Sequence, residues 1–252
     1  MRILITNDDG IDSEGLLALR RALTVVGDTV VIAPNRNWSA AGHTKTMHKP
    51  LRVTRVQVPV GDESYACDGT PSDCVAMGML GFAGARPDLV VSGINKGANL
   101  GGDITYSGTV AAAMESVING VPAIAVSVAS YQEWDFEAAA AFAARLAAKV
   151  LEKGLPPDVL LNVNVPSVPR EQIRGVLVTR LGKRIYRDKL IERQDPFGRS
   201  YYWIGGDEPS GHAEEGTDIW AIANSFVSVT PIQMDLTNFD LIDQLKEWQL
   251  SL

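Results

Sequence analysis

Short apolar runs alternate with helical segments along about the first 180 residues of the chain. Each run is bounded by turn residues and has the length of a buried strand; the runs cover residues 3–5, 29–33, 88–92, 123–128, 160–165 and 175–179. Amphipathic or alanine-rich helical patterns lie at residues 13–23, 70–82, 107–119 and 136–153. This alternation predicts a Rossmann-like α/β fold, with a mostly parallel sheet and helices on both faces.

The pattern changes after about Leu181. Residues 183–206 are aromatic and charged, with turn residues at 196–198, and they predict a protruding β-hairpin. Residues 226–230 predict a late strand, and an amphipathic helix at 238–250 predicts a C-terminal arm. Residues 52–60 alternate apolar and polar side chains, as an edge strand does. We therefore divide the chain into an α/β core at 1–181 and an extension at 182–252, within one folded unit.

Composition and charge narrow the class of protein. Of the 252 residues, 46% are hydrophobic, which suffices for a large soluble core. The net charge of −7 argues against a DNA or RNA duplex as partner, although residues 170–199 hold nine Lys or Arg against four Asp or Glu. Cys67 and Cys74 match no zinc or redox spacing, so we expect buried thiols in a reducing compartment. With no signal-peptide or membrane-span pattern, we expect a cytoplasmic protein that does not bind membranes.

The first predicted strand ends abruptly at Asn7, Asp8, Asp9 and Gly10. Ligands of open α/β sheets bind beyond the carboxyl ends of the strands, so these two carboxylates lie where such a sheet forms its ligand-binding site. Converging carboxylates need a cation, a shared proton or a basic partner. A hard divalent cation such as Mg²⁺ suits their oxygen atoms. The alternative is a polar turn with no ligand, because Asn, Asp and Gly are ordinary turn residues.

Two further segments follow predicted strands. Residues 37–43 come after the second strand and contain Ser39, whose hydroxyl oxygen suits a metal, and His43. Residues 92–102 hold four glycines, whose backbone amides can approach an anion closely, together with the amide side chains of Asn95 and Asn99. The spacing matches neither a Walker A loop nor a dinucleotide fingerprint. A polar loop without a ligand remains the alternative for both segments.

The third segment, residues 106–109, precedes a helix. Ser107 has the character of an N-cap, and Gly108 and Thr109 fall in the first turn. A helix N-terminus offers unpaired amides and the positive end of its dipole, which suits a phosphate. Plain capping is the alternative. Carboxylates, amide-rich backbone and hydroxyls at one sheet edge are what phosphoryl chemistry requires.

At these residues the chain resembles the SurE survival-protein family of metal-dependent nucleotidases. The resemblance is carried by I-T-N-D-D-G at 5–10, A-P-N-R-N-W-S at 33–39, D-G-T-P-S-D-C-V at 68–75, V-S-G-I-N-K-G-A-N-L-G at 91–101, Y-S-G-T-V-A-A-A-M-E at 106–115 and L-N-V-N-V-P at 161–166. Shorter matches continue to residue 231 in the family's order. One departure is Ala40, where the family often has glycine after the serine; Ser39 itself is retained.

The resemblance implies a phosphomonoesterase that hydrolyses nucleoside 5′- and/or 3′-monophosphates, and also polyphosphate, with one Mg²⁺ or Mn²⁺ per subunit. The implied metal ligands are Asp8, Asp9, Ser39 and Asn95. The implied phosphate-binding residues are Gly97, Asn99, Ser107, Gly108 and Thr109, and the implied catalytic set is Asp8, Asp9, Asn99, Ser107 and Thr109. The resemblance also implies a homodimer or homotetramer that exchanges C-terminal elements.

Two other functions remain open at this point. A nucleotide-binding stress or regulatory protein without turnover would keep the glycine-rich segment but would not need the acidic pair. A phosphatase that forms an aspartyl-phosphate at Asp8 is the second alternative. That class spaces its aspartates as D-x-D, whereas Asp8 and Asp9 are adjacent, which counts against it.

Overall fold

The structure is a computed structural model that describes residues 1–59, 61, 63–130, 132, 134–206, 210–211 and 214–251. The strands are β1 (Arg2–Thr6), β2 (Asp28–Pro34), β3 (Val53–Arg55), β4 (Ser64–Cys67), β5 (Leu89–Lys96), β6 (Ala123–Ala129), β7 (Val159–Pro166), β8 (Gly175–Val178), β9 (Arg184–Ile185), β10 (Asp188–Gln194), β11 (Ser200–Gly206), β12 (Ser210–Gly211) and β13 (Phe226–Gln233). The helices are α1 (Glu14–Leu23), α2 (Pro71–Met79), α3 (Gly108–Ile118), α4 (Glu137–Lys153), α5 (Asp218–Ala223) and α6 (Phe239–Glu247), and short 3₁₀ turns span Gly101–Thr105 and Arg170–Gln172.

Nine of the described strands form one sheet in the order β3-β4-β2-β1-β5-β6-β7-β13-β8. Six neighbouring strands are parallel to one another, in the sheet order β4, β2, β1, β5, β6 and β7. Strand β3 is antiparallel to β4, and β13 is antiparallel to β7. The chain moves from β1 to β2 on one side and later to β5 on the other. The carboxyl end of β1 is therefore a topological switch point, where sheets of this class bind ligands.

Helices cover both faces of the sheet, as the alternation of apolar residues predicts. Ile3 and Ile5 of β1 belong to one hydrophobic core, which α1 and α4 close. Leu4 belongs to the other core, which α2 and α3 close. Successive strand residues point to opposite faces, so a sheet buried on both sides needs the continuous apolar strands seen in this chain. The predicted fold class is confirmed.

Polar caps explain where the site helices begin. The Ser13 side chain accepts from the Leu16 N–H, which starts α1. Thr70 and Asp73 form a capping box at α2. Ser107 Oγ accepts from the Val110 N–H at 3.1 Å and starts α3, as the sequence predicts. Each cap satisfies an amide that the first helical turn leaves without an intrahelical partner.

Several boundaries differ from the sequence-based expectation, and three of them lie within residues 52–106. Helix α2 ends at Met79 rather than at residue 82, because the chain turns at Gly81 with a φ of +84°. In residues 52–60 the described strand covers only Val53–Arg55, and Val60 lies outside the described residues. The expected loop at 93–106 is partly regular, since β5 continues to Lys96 across a register shift and a 3₁₀ turn follows. Asn95 is therefore held on a strand end.

The C-terminal extension contributes both to the sheet and to the surface. Strand β13 lies inside the main sheet between β7 and β8. Strands β10 and β11 are antiparallel, with residue pairs from Asp188 opposite Gly206 to Gln194 opposite Ser200. Both strands and α6 are almost wholly exposed, which confirms the protruding hairpin and arm. Cys67 and Cys74 are buried free thiols. Within the described ranges, every helix is too short or too polar to cross a membrane.

Candidate active site

The acidic pair lies in a tight turn at the carboxyl end of β1. Asn7 closes this turn, since its Nδ2 donates to the Gly10 carbonyl at 2.9 Å and its Oδ1 accepts from the Gly10 N–H at 3.2 Å. Gly10 has a φ of +106°, a conformation that side chains disfavour. Asp8 and Asp9 thus leave the regular strand, and both carboxylates stay at the edge between β1, β2 and β5.

Asp8 sits against the N-terminus of α3. Its carboxylate accepts from Thr109 Oγ1, and only 3% of the residue is exposed. A Cβ on Gly108 would lie 2.7 Å from Asp8 Cβ and 2.9 Å from Oδ2, so the absence of a side chain at Gly108 allows this approach. Burial raises the pKa of Asp8 to about 6, against the opposing effect of the Thr109 hydrogen bond. The site therefore holds a carboxylate that is poorly compensated when ionised.

Asp9 faces β5. Its Oδ2 accepts from the backbone N–H of Lys96 at 3.2 Å, and Asn37 Nδ2 lies 3.5 Å from its Oδ1. Burial also raises the pKa of Asp9, whereas the Lys96 amide and charge lower it. The two carboxylates contact different elements, Asp8 the start of α3 and Asp9 the end of β5.

Ser39 and Asn95 approach the same edge from β2 and β5. The loop after β2 is fixed to the acidic turn because the Trp38 N–H donates to the Asp8 carbonyl at 2.7 Å, and Ser39 follows at once. Ser39 is exposed, with its N–H bound to Asn37 Oδ1 at 2.7 Å. Asn95 Nδ2 donates to the Gly97 carbonyl at 2.8 Å, which orients the side-chain amide.

The donor chemistry of these four side chains fits a hard cation. They supply two carboxylates, a hydroxyl and an amide oxygen, and Mg²⁺ is commonly held by one or two carboxylates while it keeps waters and binds phosphate. Among the described residues, no group of three or more His, Cys, Asp or Glu is placed to hold a metal. The charge of buried Asp8 is only partly compensated by Thr109, and a cation would complete that compensation.

Asn99 lies in the loop of residues 97–107, which joins β5 to α3. It is 7% exposed, and its Nδ2 donates to Ser127 Oγ at 2.8 Å. Its backbone N–H donates to Asn164 Oδ1 at 2.8 Å, and its carbonyl accepts from both Asn162 and Asn164 at 2.9 Å. One N–H of the Asn99 amide remains for another acceptor, because an amide carries two.

The other predicted phosphate residues occupy the two ends of this loop. Gly97 has a φ of +107°, and its N–H donates to the Val128 carbonyl at 3.0 Å. Ser107 is 6% exposed, and its Oγ acts as acceptor in the cap of α3, so its hydroxyl hydrogen is left to donate elsewhere. Gly108 and Thr109 both contact Asp8.

Several polar residues of the site were not singled out in the sequence. Ser127, Asn162 and Asn164 hold Asn99. The signal that could have indicated the two asparagines is their alternation in a strand that is otherwise apolar. Asp218, 0% exposed at the start of α5, accepts from the N–H groups of Gly101 and Gly182 at 2.7 Å each. It ties the 97–107 loop to the segment that leads into the hairpin.

His43, the histidine nearest the predicted site in the sequence, contacts α3 rather than the acidic pair. Its Nε2 lies 3.0 Å from Glu115 Oε2, and Lys45 Nζ lies 2.7 Å from the other oxygen of the same carboxylate. Glu115 is 2% exposed and lies two turns beyond the start of α3. This contact fixes the loop that carries Ser39 to the helix that carries Thr109.

Known proteins are similar to this chain in sequence and in fold over nearly its whole length. The family model described as "Survival protein SurE" matches residues 3–188. A protein named 5′-nucleotidase SurE from Chloroflexus aggregans is 53% identical over 251 residues, which cover 99% of each chain. Its namesake from Herpetosiphon aurantiacus is 54% identical over 247 residues, or 97% of each chain. The crystal structure of the Sure protein from Aquifex aeolicus is 46% identical, with a TM-score of 0.86 over 99% of this chain and 100% of that one. The chain therefore belongs to the SurE family.

Proposed function

We propose that this protein hydrolyses nucleoside 5′-monophosphates to nucleoside and phosphate. The observation that carries the proposal is the meeting of the Asp8–Asp9 pair, the N-terminus of α3 and the 97–107 loop at the switch point of the sheet. The names of the relatives supply the nucleotide and its 5′ position. Activity toward 3′-monophosphates and polyphosphate is a further part of the proposal.

A divalent cation, Mg²⁺ or Mn²⁺, would be held by Asp8, Asp9, Ser39 and Asn95, one per chain. When bound, it would supply Lewis acidity toward a phosphoryl oxygen and lower the pKa of a bound water. Thr109 keeps Asp8 in position for this role by donating its hydroxyl hydrogen to the carboxylate. Lys96 does the same for Asp9 through its backbone N–H, so both carboxylates are preorganised.

The neutral side of the site would bind the phosphoryl oxygens. Ser107 has a hydroxyl hydrogen that its capping bond does not use, and Asn99 has an amide N–H that Ser127 does not use. The first turn of α3 adds the positive end of the helix dipole. Because these donors are fixed before the substrate arrives, they can stabilise developing negative charge without reorganisation.

The test is phosphate release from a panel of 5′- and 3′-nucleoside monophosphates and polyphosphate, with Mg²⁺, Mn²⁺ or EDTA. We expect turnover of the 5′-monophosphates with cation and none with EDTA. Nucleotides that raise the melting temperature without any phosphate release, with either cation, would favour the binding protein without turnover. Single-turnover hydrolysis in ¹⁸O-labelled water should place the label in phosphate; a phosphorylated Asp8 would favour the covalent alternative.

We also propose that the protein forms a homodimer or homotetramer through its C-terminal extension. Strands β10 and β11 expose Leu190, Tyr202, Trp203 and Ile204, and α6 exposes Phe239. Isolated two-stranded hairpins are marginal in water, and aromatic residues are enriched at interfaces. Deleting residues 238–252 should give a smaller species by light scattering, and an unchanged mass would exclude the terminal helix as the link.

A further inference from the structure

We propose that Asn162 and Asn164 of β7 are positioning residues that act through Asn99. Their side chains bind the backbone N–H and the backbone carbonyl of Asn99, so the side-chain amide of Asn99 stays directed toward the phosphoryl group. This inference rests on the proposed function, because it gives Asn162 and Asn164 a role in the same site. Neither residue contacts the acidic pair in any hydrogen bond of the structure's described part.

The contacts concentrate on one residue of the loop. Asn164 binds both backbone groups of Asn99, with its Oδ1 accepting from the N–H at 2.8 Å and its Nδ2 donating to the carbonyl at 2.9 Å. Asn162 Nδ2 donates to the same carbonyl at 2.9 Å. Both asparagines are 0% exposed. Buried hydrogen bonds in a low-dielectric surrounding are strong, so they define the position of Asn99 closely.

The sheet explains why β7 can perform this task. Asn162 and Asn164 are two residues apart and share one face of the strand, whereas Val163 and Val165 point into the core on the other face. Asn164 pairs in register with Ser127 of β6, the residue that holds the Asn99 side chain. Two neighbouring strands thus present three polar side chains to one loop residue.

Stability alone does not account for these polar residues. Burying an amide is unfavourable unless it is hydrogen-bonded, and an apolar strand residue would avoid that cost. Asn162 is not even fully satisfied, since its buried Oδ1 has no hydrogen-bond partner among the described residues. Its side-chain hydrogen bond is the one that Nδ2 donates to the Asn99 carbonyl. The benefit is therefore expected in the placement of the loop, where an error of about 1 Å near the reacting group can cost about a hundredfold in rate.

The decisive variant is Asn162→Leu, because it removes one hydrogen bond to Asn99 together with the unpartnered Oδ1. We expect kcat to fall about tenfold while the melting temperature changes little. Asn164→Leu removes two hydrogen bonds and should lower kcat further, with some loss of stability. The matched control is Thr230→Val in β13, a residue 2% exposed that pairs in register with Asn162 and binds Thr179 instead of Asn99. It should keep kcat within about twofold even if the melting temperature falls.

A double-mutant cycle separates positioning from general stability. In an Asn99→Ala background, adding Asn162→Leu should cost less than about twofold, because the Asn99 side-chain amide that it positions is gone. Equal losses in both backgrounds would overturn the proposal, as would wild-type kcat in Asn162→Leu.

A binding measurement keeps this test independent of the proposed function. Titration of inorganic phosphate in the presence of Mn²⁺ should give a higher Kd for Asn162→Leu than for the wild type or Thr230→Val. If the wild type released no phosphate from any nucleotide, the proposed function would fail while this comparison still tested the positioning role. Equal phosphate Kd values for all three proteins would contradict it.

Discussion

The carboxylate half of the site, Asp8 and Asp9, and the amide half, Asn99 with its partners, meet at one sheet edge but are balanced in different ways. Burial raises the pKa of both aspartates, because the folded chain compensates their charge incompletely. Asn99 is neutral, and four hydrogen bonds from its backbone and side chain are made within the protein. The amide half carries no charge that a ligand must balance, whereas the carboxylate half does.

This difference indicates which half should respond to a cation. Adding a divalent cation should stabilise the carboxylate half, since ionised oxygens then gain an opposite charge. The amide half should change little, because its hydrogen bonds already exist. Substitutions in the two halves should therefore separate by their effect on cation-dependent stability, even where both reduce turnover.

The largest effect is expected from Asp8→Asn, which removes one of the two charges that would hold the cation. Turnover should fall by at least about a thousandfold, or about 4 kcal/mol of transition-state stabilisation. Stabilisation by Mn²⁺ in thermal unfolding should be lost together with it. The exposed Asp12 of the same segment gives the matched control, and Asp12→Asn should behave as wild type. Near-normal kcat in Asp8→Asn at saturating Mn²⁺ would remove Asp8 from the cation site.

The carboxylate half was largely predictable from sequence, and the amide half was only partly so. Asp8 and Asp9 are adjacent to an apolar run, so local pattern and the rule for strand ends suffice to place them. Asn99 was also recognised, but its partners were not. Asn164 lies 65 residues further along the chain, and its contact follows from β6 and β7 being neighbours in the sheet. Strand order is a long-range property that no local pattern encodes.

The structure also assigns contacts that differ in kind from the sequence expectation. Thr109 was expected at the phosphate, and its hydroxyl is found on Asp8. Gly108 was also expected at the phosphate, and its missing side chain makes room for the same carboxylate. Spacing shows that such residues belong to the first helical turn. It does not show which neighbouring segment packs against that turn.

The second-largest effect is expected on the free energy of unfolding and its pH dependence, measured in EDTA so that no cation is bound. The folded-state pKa of Asp8, about 6, exceeds the ordinary value of 3.8, so between these values the folded chain keeps a proton that the unfolded chain has lost. The free energy of unfolding should therefore decrease as the pH rises from about 4 to above 6, by at most about 3 kcal/mol. Urea unfolding of wild type and Asp8→Asn at both ends of this range measures the difference. A wild-type curve parallel to that of Asp8→Asn would refute the assignment.

Ser107→Ala gives a smaller effect and probes the phosphate-binding residues outside the carboxylate half. If the hydroxyl donates to a phosphoryl oxygen in the transition state, kcat should fall about a hundredfold, or about 2.7 kcal/mol. Loss of the cap on α3 alone costs typically about 1 kcal/mol of stability. Stabilisation by Mn²⁺ should survive, unlike in Asp8→Asn. A lower melting temperature with kcat/KM within a few fold of wild type would show that capping is the whole role of Ser107.

The smallest effect is expected where the α3 N-terminus meets the carboxylate half, at Gly108. In Gly108→Ala the new Cβ would lie 2.7 Å from Asp8 Cβ, closer than real Cβ atoms approach, so Asp8 or the start of α3 must shift. We expect about a tenfold loss of kcat, or about 1.4 kcal/mol, together with a weaker response to Mn²⁺. Gly102→Ala is the matched control in the adjoining loop, because a Cβ there meets no atom within 4 Å, and it should retain activity. Equal activity of Gly108→Ala and Gly102→Ala would show that Asp8 tolerates displacement. It would contradict the expectation that the contact of Asp8 with α3 determines the geometry of the site.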